Sequence, residues 1–172
     1  MPEKKVSLQR IFDVIREIAE KHEMIEDNDI GNEAMRGHST GQNKDEPEEQ
    51  PHELLFPYLF TDVVGTDLTV GASGFVQAKT YKINLFVADK HNSHAKNDED
   101  ILSDTEAILT DLIIYINQNQ DLREFVIGIG TTSLIPARHT TIQEAFGFQC
   151  VLNIKVKAAT CWELLPFKDA NC

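Results

Sequence analysis

No run in this sequence approaches the ~18 consecutive apolar residues of a membrane-spanning helix, so a helical membrane protein is excluded. Cysteine is scarce: there are three, Cys150, Cys161 and Cys172. An odd number at wide spacing is not a disulfide framework, which fits folding in a reducing, intracellular setting. Cys150 reads as a small core residue on the apolar face of a strand, and Cys172 as a free thiol. Met1–Lys5 is followed by no apolar stretch, so no secretory signal is expected. Positive charge is in short supply: Lys and Arg number 16 against 28 Asp and Glu, a formal charge of −12. Such a chain repels phosphate backbones and is a poor candidate for gripping DNA. The excess acid serves either solubility or a wall along which DNA slides without sticking. Internal repeats and heptads are absent. No Ser or Cys stands in a recognisable nucleophile setting, and no acidic pair identifies itself as a general acid and base. Gly128 and Gly130 lack the third glycine and the following helix of a phosphate loop, which excludes a nucleotide site of that kind. No cofactor is expected.

What is present is organised around residues 79–119. In Lys79–Asp89, Tyr81, Ile83, Leu85 and Val87 fall on one face, with Lys82, Asn84 and Phe86 on the other, the period-two signature of a strand. In Asp100–Asn119, Ile101, Leu102, Ile108, Leu109, Leu112, Ile113 and Ile116 follow the spacing of one helix face, and Thr105 fills the gap in the series. Asp98, Glu99 and Asp100 suit a helix N-terminus, with Asn97 or Asp98 as the cap. Full burial of those seven apolar side chains is worth roughly 10–20 kcal/mol gross. This helix is therefore expected to lie across the sheet.

The remaining segments fall into place around this centre. Ser7–His22 predicts a first helix with Leu8, Ile11, Phe12, Ile15, Ile18 and Ala19 as its stripe and Arg10, Arg16, Glu17, Glu20 and Lys21 opposite. Residues 26–53 form a polar, acidic stretch with scattered Gly and Pro, too poor in apolar residues to fold alone, and read as an inserted loop. Leu54–Asp62 is a dense apolar strand candidate. Pro57 cannot donate to a ladder, so this is an edge strand or a strand beginning after Pro57. Gly65, Gly71 and Gly74 are turn or bulge signals, and Asp67–Val70 reads as a short strand or arm. Phe125–Gly130 predicts a strand, and Thr131–Thr141 a strand or loop ending near Pro136. In Gly147–Ala159, Phe148, Cys150, Leu152, Ile154, Val156 and Ala158 alternate with Gln149, Asn153, Lys155 and Lys157. This strand matches Lys79–Asp89 in length and alternation, so the two are expected to pair antiparallel. An apolar tail, 160–172, carries Trp162, Leu164, Leu165 and Phe167. It implies docking, on its own domain or on a neighbour.

The order of these features resembles a known family. A short N-terminal helix and a variable polar loop precede the strand Phe56-Pro57-Tyr58-Leu59-Phe60 and the strand Tyr81–Asp89. Asp100-Ile101-Leu102-Ser103-Asp104-Thr105 then opens a long helix, and Gly147–Ile154 is a late strand. This pattern is similar to the tail-terminator and tail-completion proteins of tailed bacteriophages, which form rings at the neck between portal and tail. The resemblance covers most of Val6–Phe167, and the acidic loop at 26–53 departs from it. It implies a single α+β domain spanning 1–172, with a mostly antiparallel sheet packed by the long helix and the N-terminal helix. It further implies a virion protein forming a homo-oligomeric ring of six or twelve copies, in contact with portal, neck or tail-tube proteins. DNA would pass through the channel without specific binding, and no membrane or enzymatic activity is implied. The candidate inter-subunit contacts are Phe56, Pro57, Tyr58, Phe60, Arg138, Trp162, Leu165 and Phe167.

Two other classes of function fit the same residues. Asp89, His91, His94 and Asp98 stand near one another in sequence and use metal-ligand types, which would suit a small cytosolic metal-dependent enzyme with an acidic lid. The plainer reading of that stretch is a solvated loop ahead of a helix cap. A non-viral adaptor domain of the same fold is the third class, since fold alone does not fix function.

Overall fold

The computed structural model describes residues 8–30, 55–72, 76–90, 97–124, 126–138 and 145–157. The elements are α1 (Leu8–Glu20), β1 (Asp27–Ile30), β2 (Tyr58–Val70), β3 (Val76–Lys90), α2 (Asp98–Gln118), α3 (Gln120–Arg123), β4 (Val126–Thr131), β5 (Ile135–Arg138) and β6 (Ala145–Lys157). The acidic stretch after Ile30, His91, His94 and the tail with Trp162, Leu165 and Phe167 lie outside the described residues.

The helices sit where the apolar periodicity places them. The α2 N-terminus is held by a reciprocal capping box: the Asp100 N–H donates to Asn97 Oδ1 at 2.8 Å, and the Asn97 N–H donates to Asp100 Oδ2 at 3.3 Å. Two orphan donors of the first turn are thereby satisfied. Ile101, Thr105, Ile108, Leu109, Leu112 and Ile116 are all buried. Thr105 fills its gap at no polar cost, because its hydroxyl donates to the Ile101 carbonyl at 2.7 Å. Leu102 and Ile113, expected in the same stripe, are half-buried at its margins. In α1 the buried residues are Ile11, Phe12, Val14, Ile15 and Ala19; Val14 extends the expected stripe. Asn119 ends α2 and opens α3, its Oδ1 accepting from the Leu122 N–H at 3.0 Å.

Among the described residues one six-stranded sheet runs in the order β1-β2-β3-β6-β4, with β5 on the same flank of β6 as β4. Every pairing is antiparallel except β1 with β2. The expected central pair is present: β3 and β6 run from Ala78↔Lys157 to Lys90↔Ala145. The fold is thus α+β, mostly antiparallel, with a helical layer on one face. Tyr81, Ile83, Leu85 and Val87 of β3 and Cys150, Leu152, Ile154 and Val156 of β6 meet α1 and α2 in the main core.

Two differences from the sequence reading have local causes. β2 begins directly after Pro57, as that residue requires, but continues unbroken to Val70. Gly65 marks a bulge between Val63↔Ile83 and Gly65↔Lys82, which inserts Val64 and leaves it 55% exposed. The start of the supposed loop, Asp27–Ile30, is instead a strand parallel to β2, from Asp27↔Tyr58 to Ile30↔Thr61. A short edge strand is held by backbone bonds and needs no apolar alternation, so composition does not reveal it.

Candidate interaction surface

The sheet face away from the helices carries its own small core. Phe86, Ala88 and Ala145 are buried there, with Phe56, Phe60 and Ala137 packed against them. The rings form a continuous row: Phe56–Tyr58 centroids lie 6.0 Å apart, Tyr58–Phe60 4.4 Å and Phe60–Phe86 5.7 Å. Tilted and offset contacts of this kind suit the ring quadrupoles. Lys90 Nζ sits 4.6 Å from the Phe56 ring centroid, closing the row with a cation. Four of the expected contact residues, Phe56, Pro57, Tyr58 and Phe60, are therefore gathered at one place. Tyr58 is used within its own domain, with 5% of its surface left exposed. Phe56, Pro57 and Phe60 are half-buried. Arg138 is exposed and lies on the other face, its Cζ 5.5 Å from the ring centre of Phe146.

The outer side of α2 is of one charge sign. Asp98, Glu99, Asp100, Asp104, Glu106 and Asp111 all lie on this helix, which holds no lysine or arginine. By contrast α1 mixes signs, with a Lys21–Glu17 pair at 2.7 Å and an Arg10–Asp121 pair at 2.6 Å that ties α1 to α3. Hydrogen bonding and attraction from Lys21 hold the Glu17 carboxyl below the usual range. The sheet carries lysines of its own: Lys82 pairs with Asp67 at 2.7 Å, and Lys155 lies beside them on β6.

Between α1 and α2 lies a shallow groove of about 400 Å³ lined by Ile18, His22, Met24, Asp111 and Tyr115, among others. His22 Nδ1 accepts from the Met24 N–H at 3.2 Å, which directs its Nε2 toward Asp111 Oδ2 at 3.7 Å. Ile114 and Tyr115 of α2 are 45% and 58% exposed.

The chemistry-bearing groups are separated. Asp89 is buried, and its Oδ1 accepts from the Lys90 N–H at 2.7 Å. Asp98 is exposed in the first turn of α2, while His91 and His94 fall outside the described residues. Among the described residues no group of three or more His, Cys, Asp or Glu is placed to hold a metal ion. Burial pushes the Cys150 thiol up to about 11, so it is a neutral core group. Among the same residues no helix is long and apolar enough to cross a membrane.

The sheet edges are the feature that sequence reasoning missed. β1 covers β2 only as far as Thr61, and β2 runs on to Val70 with Val64, Leu68 and Val70 exposed at 55%, 58% and 57%. The signal available was the alternation of Thr66, Leu68 and Val70 beyond Gly65. The chain matches no known protein-family model, and no curated protein sequence is significantly similar to it.

Proposed function

We propose that this chain is a structural protein of a tailed-phage virion, assembling as a ring at the head–tail neck or tail end in a tail-terminator, completion or connector role. The observation that carries this reading is the long β2–β3 hairpin, whose far half presents exposed apolar side chains beside a sheet edge that no described strand covers. Apolar side chains and unpaired backbone of this kind belong to protein–protein contacts. The antiparallel sheet under one helical layer is the architecture that the family resemblance implies. The one-signed outer face of α2 suits a particle through which DNA moves, since phosphate attraction is the main source of non-specific affinity.

Electron microscopy of particles made without the chain tests the proposal. Full heads with missing, overlong or unattached tails support a place at the tail end or the joint. Heads that have lost their DNA support a neck seal. Normal infectious particles would overturn the structural reading.

A further inference from the structure

The turn after α1 holds a buried donor that lacks an acceptor. The His22 side chain is 9% exposed. Its Nδ1 accepts from the Met24 N–H at 3.2 Å, so that nitrogen carries no proton and Nε2 does. Among the described residues its polar neighbour is Asp111 Oδ2 at 3.7 Å, beyond hydrogen-bond distance. A buried N–H left in this way costs free energy until an acceptor reaches it. His22 and Asp111 both line the groove of about 400 Å³ between α1 and α2, together with Ile18, Glu23, Met24 and Tyr115. Met24 and Tyr115 are both exposed there. The groove therefore offers apolar surface, a buried N–H and carboxylates.

The far half of the β2–β3 hairpin carries the complement of each. Leu68 pairs with Lys79, so the two stand side by side on one face. Leu68 is 58% exposed, with Val64 and Val70 exposed near it. Lys79 Nζ lies 4.5 Å from the Tyr81 ring centroid. Among the described residues it has no carboxylate partner, whereas Lys82 is bound to Asp67. Beyond Thr61 no described strand pairs with the outer edge of β2, so carbonyls there are open to an incoming donor. Within one chain the two surfaces stand apart, since no described residue of the hairpin lines the groove. Complementary patches on different parts of one chain make a heterologous contact, the kind that generates a ring when the rotation closes.

We infer that the groove between α1 and α2 receives the β2–β3 hairpin of a second copy. Leu68 seats against Ile18, Met24 and Tyr115, Lys79 faces Asp111 and Glu23, and a carbonyl of the β2 edge accepts from the His22 Nε2–H. The inference rests on the ring-forming reading above and names a contact that would build it.

The test uses the full-length chain. Native mass spectrometry over a dilution series gives the subunit number and the concentration of half-assembly. Lys79→Glu and Asp111→Lys are each expected to raise that concentration at least about tenfold, by setting like charges together. The two changes combined are expected to restore it to within about threefold. A second measurement adds Leu68→Cys and Met24→Cys to a chain with Cys161→Ser and Cys172→Ser. A disulfide needs Cα atoms within ~7 Å, so mild oxidation should yield a ladder of covalent multimers ending at the subunit number. Assembly unmoved by the single charge changes, or an assembly that oxidises without a ladder, overturns the contact and leaves the ring reading standing. Cross-linked monomers alone also overturn it, showing that the hairpin fills the groove of its own chain. Absence of any assembly in the unaltered chain overturns both.

Discussion

At the scale of single residues, three positions do work out of proportion to their size. Asn97 satisfies the first turn of α2 from both sides of a capping box. Asn97→Ala is expected to cost about 1 kcal/mol, read as a lowered urea midpoint with unchanged slope. Gly147 stands where β6 approaches β3 and α2: a Cβ there would collide with the Val87 carbonyl oxygen and lie 3.1 Å from both Ala88 Cα and Thr105 Cβ. Because two of these neighbours are backbone, they give little, and Gly147→Ala should destabilise by about 1–3 kcal/mol, checked by the same titration. Cys150 is held neutral by burial. Its thiol should react with an alkylating reagent at pH 8 only as the chain unfolds, so that adding urea accelerates labelling. The sign of its pH linkage follows. An unfolded thiol ionises near pH ~8.5, whereas the folded one does so at about 11. Stability from this group is therefore complete below the lower value and is lost as pH rises through the higher one.

At the scale of elements, the helical layer holds the fold together and the charges on its surface do little. Leu112 is fully buried at the centre of α2, between the sheet and α1. Leu112→Ala is expected to cost about 2–5 kcal/mol, the transfer term plus the cavity left behind. Two residues on, Ile114 is 45% exposed on the same helix, and Ile114→Ser should change stability by no more than about 0.5 kcal/mol. The contrast, measured by thermal or urea unfolding, tests which side of α2 faces the sheet. The Lys21–Glu17 pair is exposed, so its effect on stability should be small and should fade with added salt.

At the scale of the whole molecule, charge is uneven. The outer side of α2 is acidic without relief, while lysines lie on the sheet at Lys82 and Lys155. A net charge of −12 should keep duplex DNA away. Fluorescence anisotropy is expected to show no binding even at low ionic strength, where phosphate attraction is strongest.

The amphipathic helices, the central β3–β6 pair and a cap at Asn97 or Asp98 were legible in the sequence, because each is a local pattern of period, volume or capping chemistry spread over a few turns or strand residues; the structure chose Asn97. Pro57 likewise placed the start of β2, since its missing N–H acts at its own position. Tertiary structure alone decided the rest. It joined β2 through Gly65 by means of a bulge, and recruited the polar Asp27–Ile30 segment as a parallel edge strand through backbone bonds that no side-chain pattern announces. It also stacked Phe56, Tyr58, Phe60 and Phe86 into a second core from two different strands. The contact of Phe60 with Phe86 across β2 and β3 depends on the register of those two strands. Register is a property of pairs of strands distant in sequence, and no single segment carries it.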